Sequence, residues 1–249
     1  MTAVAAALEI AVQDPAGAVV ARHGGADRVE LCAALGATGG LTPSAGLLAA
    51  VCAVGIDVHA LIRTRPGGFV YSEAEVDVLV ADVEAAVRAG AAGVVVGALT
   101  ADGSVDSEAT TRLVEAARSA GRAVDRRIEV TFHRAIDAAS DPVAAITLLG
   151  GLGVDRVLTS GGAAKAGDGI AVLGALVAAN TGVQVMAGGG VDVASIPRLM
   201  AAGVDAVHLS AKRSVPDPGS AGPGGGSASE LETTDPDLVA AAASALRPR

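Results

Sequence analysis

The octet GADRVELC (25–32) returns three times, as GAAGVVVG (90–97), GVDRVLTS (153–160) and GVDAVHLS (203–210). Each copy opens on a glycine, the residue best suited to end a preceding helix in a left-handed conformation. Each then runs straight into a short apolar stretch that reads as a strand. An Ala-rich helical segment comes before each copy, VLVADVEAAVRA (78–89) being one example. Four more strands fit around these: LEIAV (8–12), DVHALIR (57–63), RIEVTFH (127–133) and GVQVMA (182–187). Helix starts are marked by Asp14-Pro15, Pro43-Ser44, Asp106-Ser107 and Asp141-Pro142, which supply caps or a first-turn proline. Strand and helix thus alternate about eight times over roughly 210 residues, the pattern of a single-domain (β/α)8 TIM-type barrel. A doubly wound open sheet is the runner-up and leaves the repeat less well explained.

The pattern stops after Lys212. The stretch VPDPGSAGPGGGSASELETTDPD (215–237) has no periodicity. The sequence therefore divides into a barrel over 1–212, a Pro/Gly/Ser-rich linker or loop over 213–235, and a C-terminal helix and tail over 236–249, with the helix itself expected at about 238–246.

Composition narrows the class. Hydrophobic residues make up 51% of the 249 residues but aromatics only 1%, so the core has to be close-packed Ala, Val and Leu. A net charge of −9 argues against a nucleic-acid or anionic-membrane surface. Cys32 and Cys52 make no disulfide framework and fit a reducing cytosol. The apolar start MTAVAAALEIAV lacks a positive n-region and is broken by Glu9, so it is not read as a signal peptide. No apolar run is long enough for a membrane span. A cytoplasmic protein is expected.

In a barrel, inward positions alternate with helix-facing ones, and active groups gather at the C-terminal ends of the strands. The fifth octet residue is always valine (Val29, Val94, Val157, Val207) and suits the helix side. Glu30 and Cys32, Leu158 and Ser160, and His208 and Ser210 then face inward. The same alternation turns inward Glu9 and Ala11, then His59, Leu61 and Arg63, then Glu129, Thr131 and His133. His59 and Glu129 come early on their strands and suit structural roles, as a Glu30–Arg63 bridge would. In TFHRAID (131–137), His133, Arg134 and Asp137 leave a strand end together, where catalytic groups sit. Cys52 lies in a helix and is expected to pack in the core.

Three loops are rich in small residues: TSGGAAK (159–165), AGGGVD (187–192) and LSAK (209–212). Their glycines let backbone amides approach an anion. An anion site is expected from Ser160, Gly161, Gly188, Gly189, Gly190, Ser210 and Lys212, at the place where barrels often hold phosphate. The loop RTRPGGFVYSEAE (63–75) could clamp an anion with its arginines or simply face solvent.

These residues together resemble the CutC family, the so-called copper homeostasis proteins. The resemblance runs through GADRVELC, GGLTPSAG (39–46), Ile62-Arg63 with Phe69 and Tyr71, GALTADGSVD (97–106), VTFHRAID (130–137), RVLTSG (156–161) and AGGGV (187–191). It implies a TIM-type barrel, a homo-oligomer and a link to cytosolic copper handling. Copper would then be held at Cys32, with His133 or His208 as a further donor. Family members often carry a cysteine just after the Glu9 position, where this chain has Ala11, so a two-coordinate thiolate site is gone. Cu(I) favours soft sulfur ligands, and Met186 is expected to face the helices. Thr64 and Gly68 also depart from the family pattern.

Two readings follow. One is a copper-binding homeostasis protein anchored on Cys32. The other is a barrel enzyme, an isomerase, lyase or hydrolase, acting on a small phosphorylated or carboxylated metabolite. In that reading Glu9 or Glu30 is the general base, His133 moves a proton, and Arg63 and Arg134 stabilise negative charge, with Asp137 beside them. No dinucleotide fingerprint or P-loop appears, so no nucleotide cofactor is expected. The partner is a small anionic ligand or a metal ion.

Overall fold

The computed structural model describes residues 6–217, 219 and 230–247. Eight parallel strands pair in sequence order and close on themselves. They are β1 (Ala7–Val12), β2 (Arg28–Leu31), β3 (Asp57–Leu61), β4 (Gly93–Val96), β5 (Glu129–Phe132), β6 (Arg156–Thr159), β7 (Gln184–Ala187) and β8 (Ala206–Leu209). The expected (β/α)8 barrel is therefore the fold.

The octet works as its chemistry suggests. Its opening glycines, Gly25, Gly90, Gly153 and Gly203, all have φ between 83° and 108°, a region that costs other residues a Cβ clash. Its third residue ties neighbouring strands together where it is aspartate. Asp27 accepts the amide of Leu8, Asp155 that of Val130 and Asp205 that of Val185, at 2.7, 2.7 and 2.8 Å. The fifth-position valines are buried on the helix side as expected.

The barrel's outer layer is formed by α1 (Pro15–His23), α3 (Ala45–Cys52), α4 (Glu73–Arg88), α5 (Ser107–Ala123), α6 (Pro142–Gly151), α7 (Ile170–Ala178) and α8 (Ile196–Ala201), while the short α2 (Leu35–Thr38) lies at the mouth, where Leu35 packs on Cys32 and Leu61. Asp14, Ser44, Asp106 and Asp141 cap their helices with side-chain oxygens, as the sequence indicates.

The expected boundaries change at the C-terminus. Residues 212–216 and 230–234 are not loop but an antiparallel hairpin, β9 (Lys212–Pro216) with β10 (Glu230–Thr234). Residues 218 and 220–229 of the expected linker lie outside the described residues. The final helix α9 (Pro236–Leu246) is the helix that follows β8. It packs against α1, α8 and β1, with Val239 and Ala242 fully buried, so the barrel extends beyond 212 to include it. The long connection hides this continuation from periodicity.

Met186 also corrects the expected phase. It pairs in register with inward-facing Leu158 and joins Leu158 and Ala206 inside the barrel.

Candidate active site

The lower barrel interior is ionic rather than apolar. Glu9 is fully buried on β1, and Arg28 Nε donates to it at 2.5 Å from β2. On the far side Arg156 donates to Glu129 (2.8 Å), Gln184 (2.8 Å) and Thr131 (3.1 Å). His59 lies between the two pairs, 3.9 Å from Glu9 and 3.6 Å from Glu129. Burial holds His59 down at about 4, so it is neutral. Sequence reasoning missed Arg28 and Arg156, although both occupy the octet's fourth position, in phase with inward Glu30 and Leu158.

Above this layer, at the C-terminal strand ends, a cavity of about 270 Å³ opens. Glu30, Arg63, His133, Arg134 and His208 all line it, joined by Gly189, Gly190, Ser210 and Lys212. Several expected site residues stay outside. Glu9 lies beneath, where its Oε1 is 2.7 Å from His208 Nδ1, so it positions His208 and cannot reach a ligand. Asp137 binds the hydroxyl of Thr159 (2.5 Å) and the amides of Ser160 (3.1 Å) and Gly162 (3.2 Å), fastening two loops together. Ser160 is fully buried, with its hydroxyl 2.6 Å from the Ala163 carbonyl. The amide of Gly161 donates to Thr159 and that of Gly188 to the Thr159 carbonyl. Ser160, Gly161 and Gly188 therefore shape the mouth rather than face it. The expected Glu30–Arg63 bridge is absent among the described residues. Arg63 instead donates to the carbonyls of Thr38, Gly40 and Gly67 at 2.9, 3.1 and 2.8 Å.

The titratable groups at the mouth are pushed in different directions. Burial raises the Glu30 carboxyl to about 7, the nearby Glu9 charge adds to this, and His208 opposes it. His208 Nε2 lies 3.8 Å from Glu30 Oε2. Burial disfavours the His208 cation, but Glu30 and Glu9 outweigh it and raise its pKa. Burial likewise works against the Glu9 charge, yet Arg28, His208 and His59 hold it below the ordinary carboxylate range. Burial, reinforced by Arg63, drives His133 down to about 3. The mouth thus holds a carboxyl that titrates near 7, an imidazole pushed up from its ordinary value and an imidazole pushed far down.

These shifts fix a sign for acid stability. His133 excludes a proton when folded and accepts one near 6.5 when unfolded, so its contribution is present above 6.5 and is lost as pH falls toward 3. Glu30 has the opposite sign between 4.5 and 7, because the folded state holds its proton longer. His133→Gln is expected to remove close to one proton from the pH dependence of unfolding in the window below 6.5. The change in slope is about 1.4 kcal/mol per pH unit. Urea unfolding of both proteins across that window measures it.

The expected copper ligands do not form a centre. Cys32 is fully buried among Leu61, Val95 and Leu35, and its thiol points at the Val12 carbonyl 3.9 Å away. Burial, then the Glu30 charge, pushes that thiol well above its ordinary pKa, away from the thiolate that Cu(I) binds. Cys52 is on α3, outside the barrel, and Met186 Sδ is taken by Arg28 at 3.2 Å. His208 is committed to Glu9. Among the described residues no cluster of three or more His, Cys, Asp or Glu side chains is placed to hold a metal ion. Nor is any helix among them long and apolar enough to cross a membrane.

The sequence model of the CutC family matches residues 6–213. A CutC family protein of Sinorhizobium medicae is 43% identical over 214 residues, covering 84% of this chain and 82% of the relative. One from Xylella fastidiosa is 45% identical over 212 residues, covering 84% of this chain and 76% of the relative. Among solved structures, a protein of Streptococcus agalactiae provisionally named copper homeostasis protein CutC superposes with a TM-score of 0.72 at 30% identity. That match covers 82% of this chain and 98% of the other. A 2,3-dimethylmalate lyase, at 14% identity and a TM-score of 0.60, shares the barrel alone.

Proposed function

The chain belongs to the CutC family, and from the mouth its residues build we propose that it is an enzyme acting by acid–base chemistry on a small carboxylated or phosphorylated metabolite. One observation carries this reading: Glu30, His208 and His133 converge on one cavity together with two arginines. Glu30 serves as the base, since a carboxyl near 7 balances ionised fraction against basicity at neutral pH. His208, anchored by Glu9 beneath it, turns Nε2 toward Glu30 at 3.8 Å and favours the ionised form of that base. Arg134, whose Nε is held by Asp137 at 2.7 Å and whose Nη2 is held by Ser160 at 3.1 Å, offers its remaining N–H groups to the anionic end of the ligand, together with the Gly189-Gly190 backbone. The Arg134 guanidinium lies across Gly189, where a Cβ would come within 2.8 Å of Cζ. Lys212 contributes less charge than the sequence suggests, because it is paired with Glu232 on β10.

The streptococcal relative's name concerns copper homeostasis. In this chain such a role would not pass through a copper centre at Cys32, because the donor set around that thiol does not fit one.

A thermal-shift screen tests the proposal, with small carboxylates, small phosphates and anaerobic Cu(I) offered to wild type, Arg134→Ala and Cys32→Ser. At least one small anion is expected to raise the wild-type Tm by several degrees and to do much less for Arg134→Ala. Stabilisation by Cu(I) alone, lost in Cys32→Ser, would overturn it.

A further inference from the structure

Two buried donors at the mouth have no acceptor. The Nδ1 of His133 accepts the amide of Ala135 at 3.1 Å. A backbone amide can only donate, so the proton of the neutral ring sits on Nε2. That Nε2 is buried without a hydrogen-bond partner, and so is Nε of Arg63. Both side chains line the cavity. They also share one packing partner: the Phe69 ring lies 5.4 Å from Arg63 Cζ and 5.0 Å from the His133 ring. Gly97 makes room for the imidazole, since a Cβ there would approach it to 2.5 Å. Buried polar groups are almost always satisfied, and two orphan donors on side chains that line one cavity suit a ligand oxygen that carries negative charge.

Ring geometry sets His133, from the end of β5, across the mouth from Glu30 and His208, while Arg63, from the end of β3, stands beside the strand of Glu30. In the closed barrel β5 stands across from β1, while Glu30 and His208 come from β2 and β8, the two strands flanking β1. We infer that His133 Nε2–H and Arg63 Nε–H form an oxyanion hole facing Glu30, and that the substrates are small carbonyl compounds with a removable α-hydrogen. This rests on the acid–base reading of the mouth and narrows it to enolisation. The Glu30 carboxylate takes the α-proton, and the C–H electron pair becomes the new C=C bond. The carbonyl π pair moves onto oxygen, which the two N–H groups then hold. Return of the proton from Glu30 to the same carbon, as the oxygen's electron pair re-forms the C=O bond, completes the exchange without a co-reactant. A neutral imidazole suits this task, because it donates a hydrogen bond without giving up its proton to the enolate. A carboxylate or phosphate elsewhere on the substrate falls to Arg134 and the Gly189-Gly190 backbone.

Proton exchange in deuterated water tests the inference, with pyruvate, 2-oxobutyrate and dihydroxyacetone phosphate as probes and proton NMR as the readout. Wild type is expected to accelerate loss of the α-proton signal of at least one probe. His133→Ala and Glu30→Gln are each expected to lose that rate at least tenfold. His133→Gln, whose amide still offers an N–H, is expected to recover part of it. A second readout needs no variant. In 15N-histidine-labelled wild type, His133 is expected in the Nε2–H form, with that proton moving downfield on addition of oxalate, a planar mimic of an enolate. Full exchange activity in His133→Ala, or an Nδ1–H ring, would overturn the oxyanion hole. If oxalate binds in an Arg134-dependent way but no probe exchanges, the enolisation reading falls and the broader acid–base reading stands. If neither oxalate nor any small anion binds, both fall.

Discussion

Glu9→Ala is expected to destabilise the fold by about 3–5 kcal/mol, the cost of leaving a buried charge without its partner. Glu9 is fully buried and holds two side chains at once, Arg28 at 2.5 Å and His208 at 2.7 Å. Removing it leaves Arg28 and the His208 ring facing each other across a space with no compensating charge. Urea unfolding with an unchanged m-value would show the loss as native-state stability rather than a change in the unfolded chain. The double substitution Glu9→Leu with Arg28→Met is expected to recover much of it, because apolar pairs of similar size often replace a buried ion pair without penalty. A loss below about 1 kcal/mol would mean that water reaches the pair, as at exposed ion pairs. Acid has the same effect by degrees. The folded pKa of Glu9 is depressed, so its stabilising contribution is full above the unfolded value of 4.5 and fades as pH falls below it.

Glu30→Gln is expected to lower turnover by about 10²–10⁴-fold while leaving the fold intact. Glutamine matches the shape of the carboxyl but cannot accept a substrate proton. Glu30 makes no hydrogen bond within the described residues, its nearest cationic atom being His208 Nε2 at 3.8 Å, so the amide breaks no internal contact. The acid limb of kcat/KM in wild type is expected near 7, following Glu30, and to vanish in the variant. Retained turnover in Glu30→Gln would overturn its role as the base.

Most of the fold was legible because its signal is local and repeated. One octet grammar located four strands, its glycines fixed the helix ends, and its valines fixed the phase that turned Glu30 and His208 inward. Strand 7 had no octet, and there the phase failed: Met186 faces inward because its register follows Leu158, a fact that only sheet pairing supplies. The same limit applied to α9, which sits beyond a connection with no periodicity.

The site was legible as a neighbourhood but not as a set of roles. Sequence phase brought Glu9, Glu30, His133 and His208 to one end of the barrel. It could not tell that Glu9 lies a layer below Glu30, since depth depends on strand stagger. Nor could it tell that Asp137 and Ser160 are consumed in joining two loops, because that depends on contacts 23 residues apart in sequence. Arg63 faces the cavity as expected, yet its held position comes from carbonyls at Thr38, Gly40 and Gly67, which no motif announces.

In the proposed chemistry Glu30 is a base poised near neutrality in a ligand cavity. A 13C NMR titration of the Glu30 side-chain carboxyl, assigned by its absence in Glu30→Gln, tests this most directly. A midpoint near 7 is expected. A midpoint at the ordinary 4.5 would contradict it, because Glu30 would then be a solvated carboxylate with little basicity to offer a substrate.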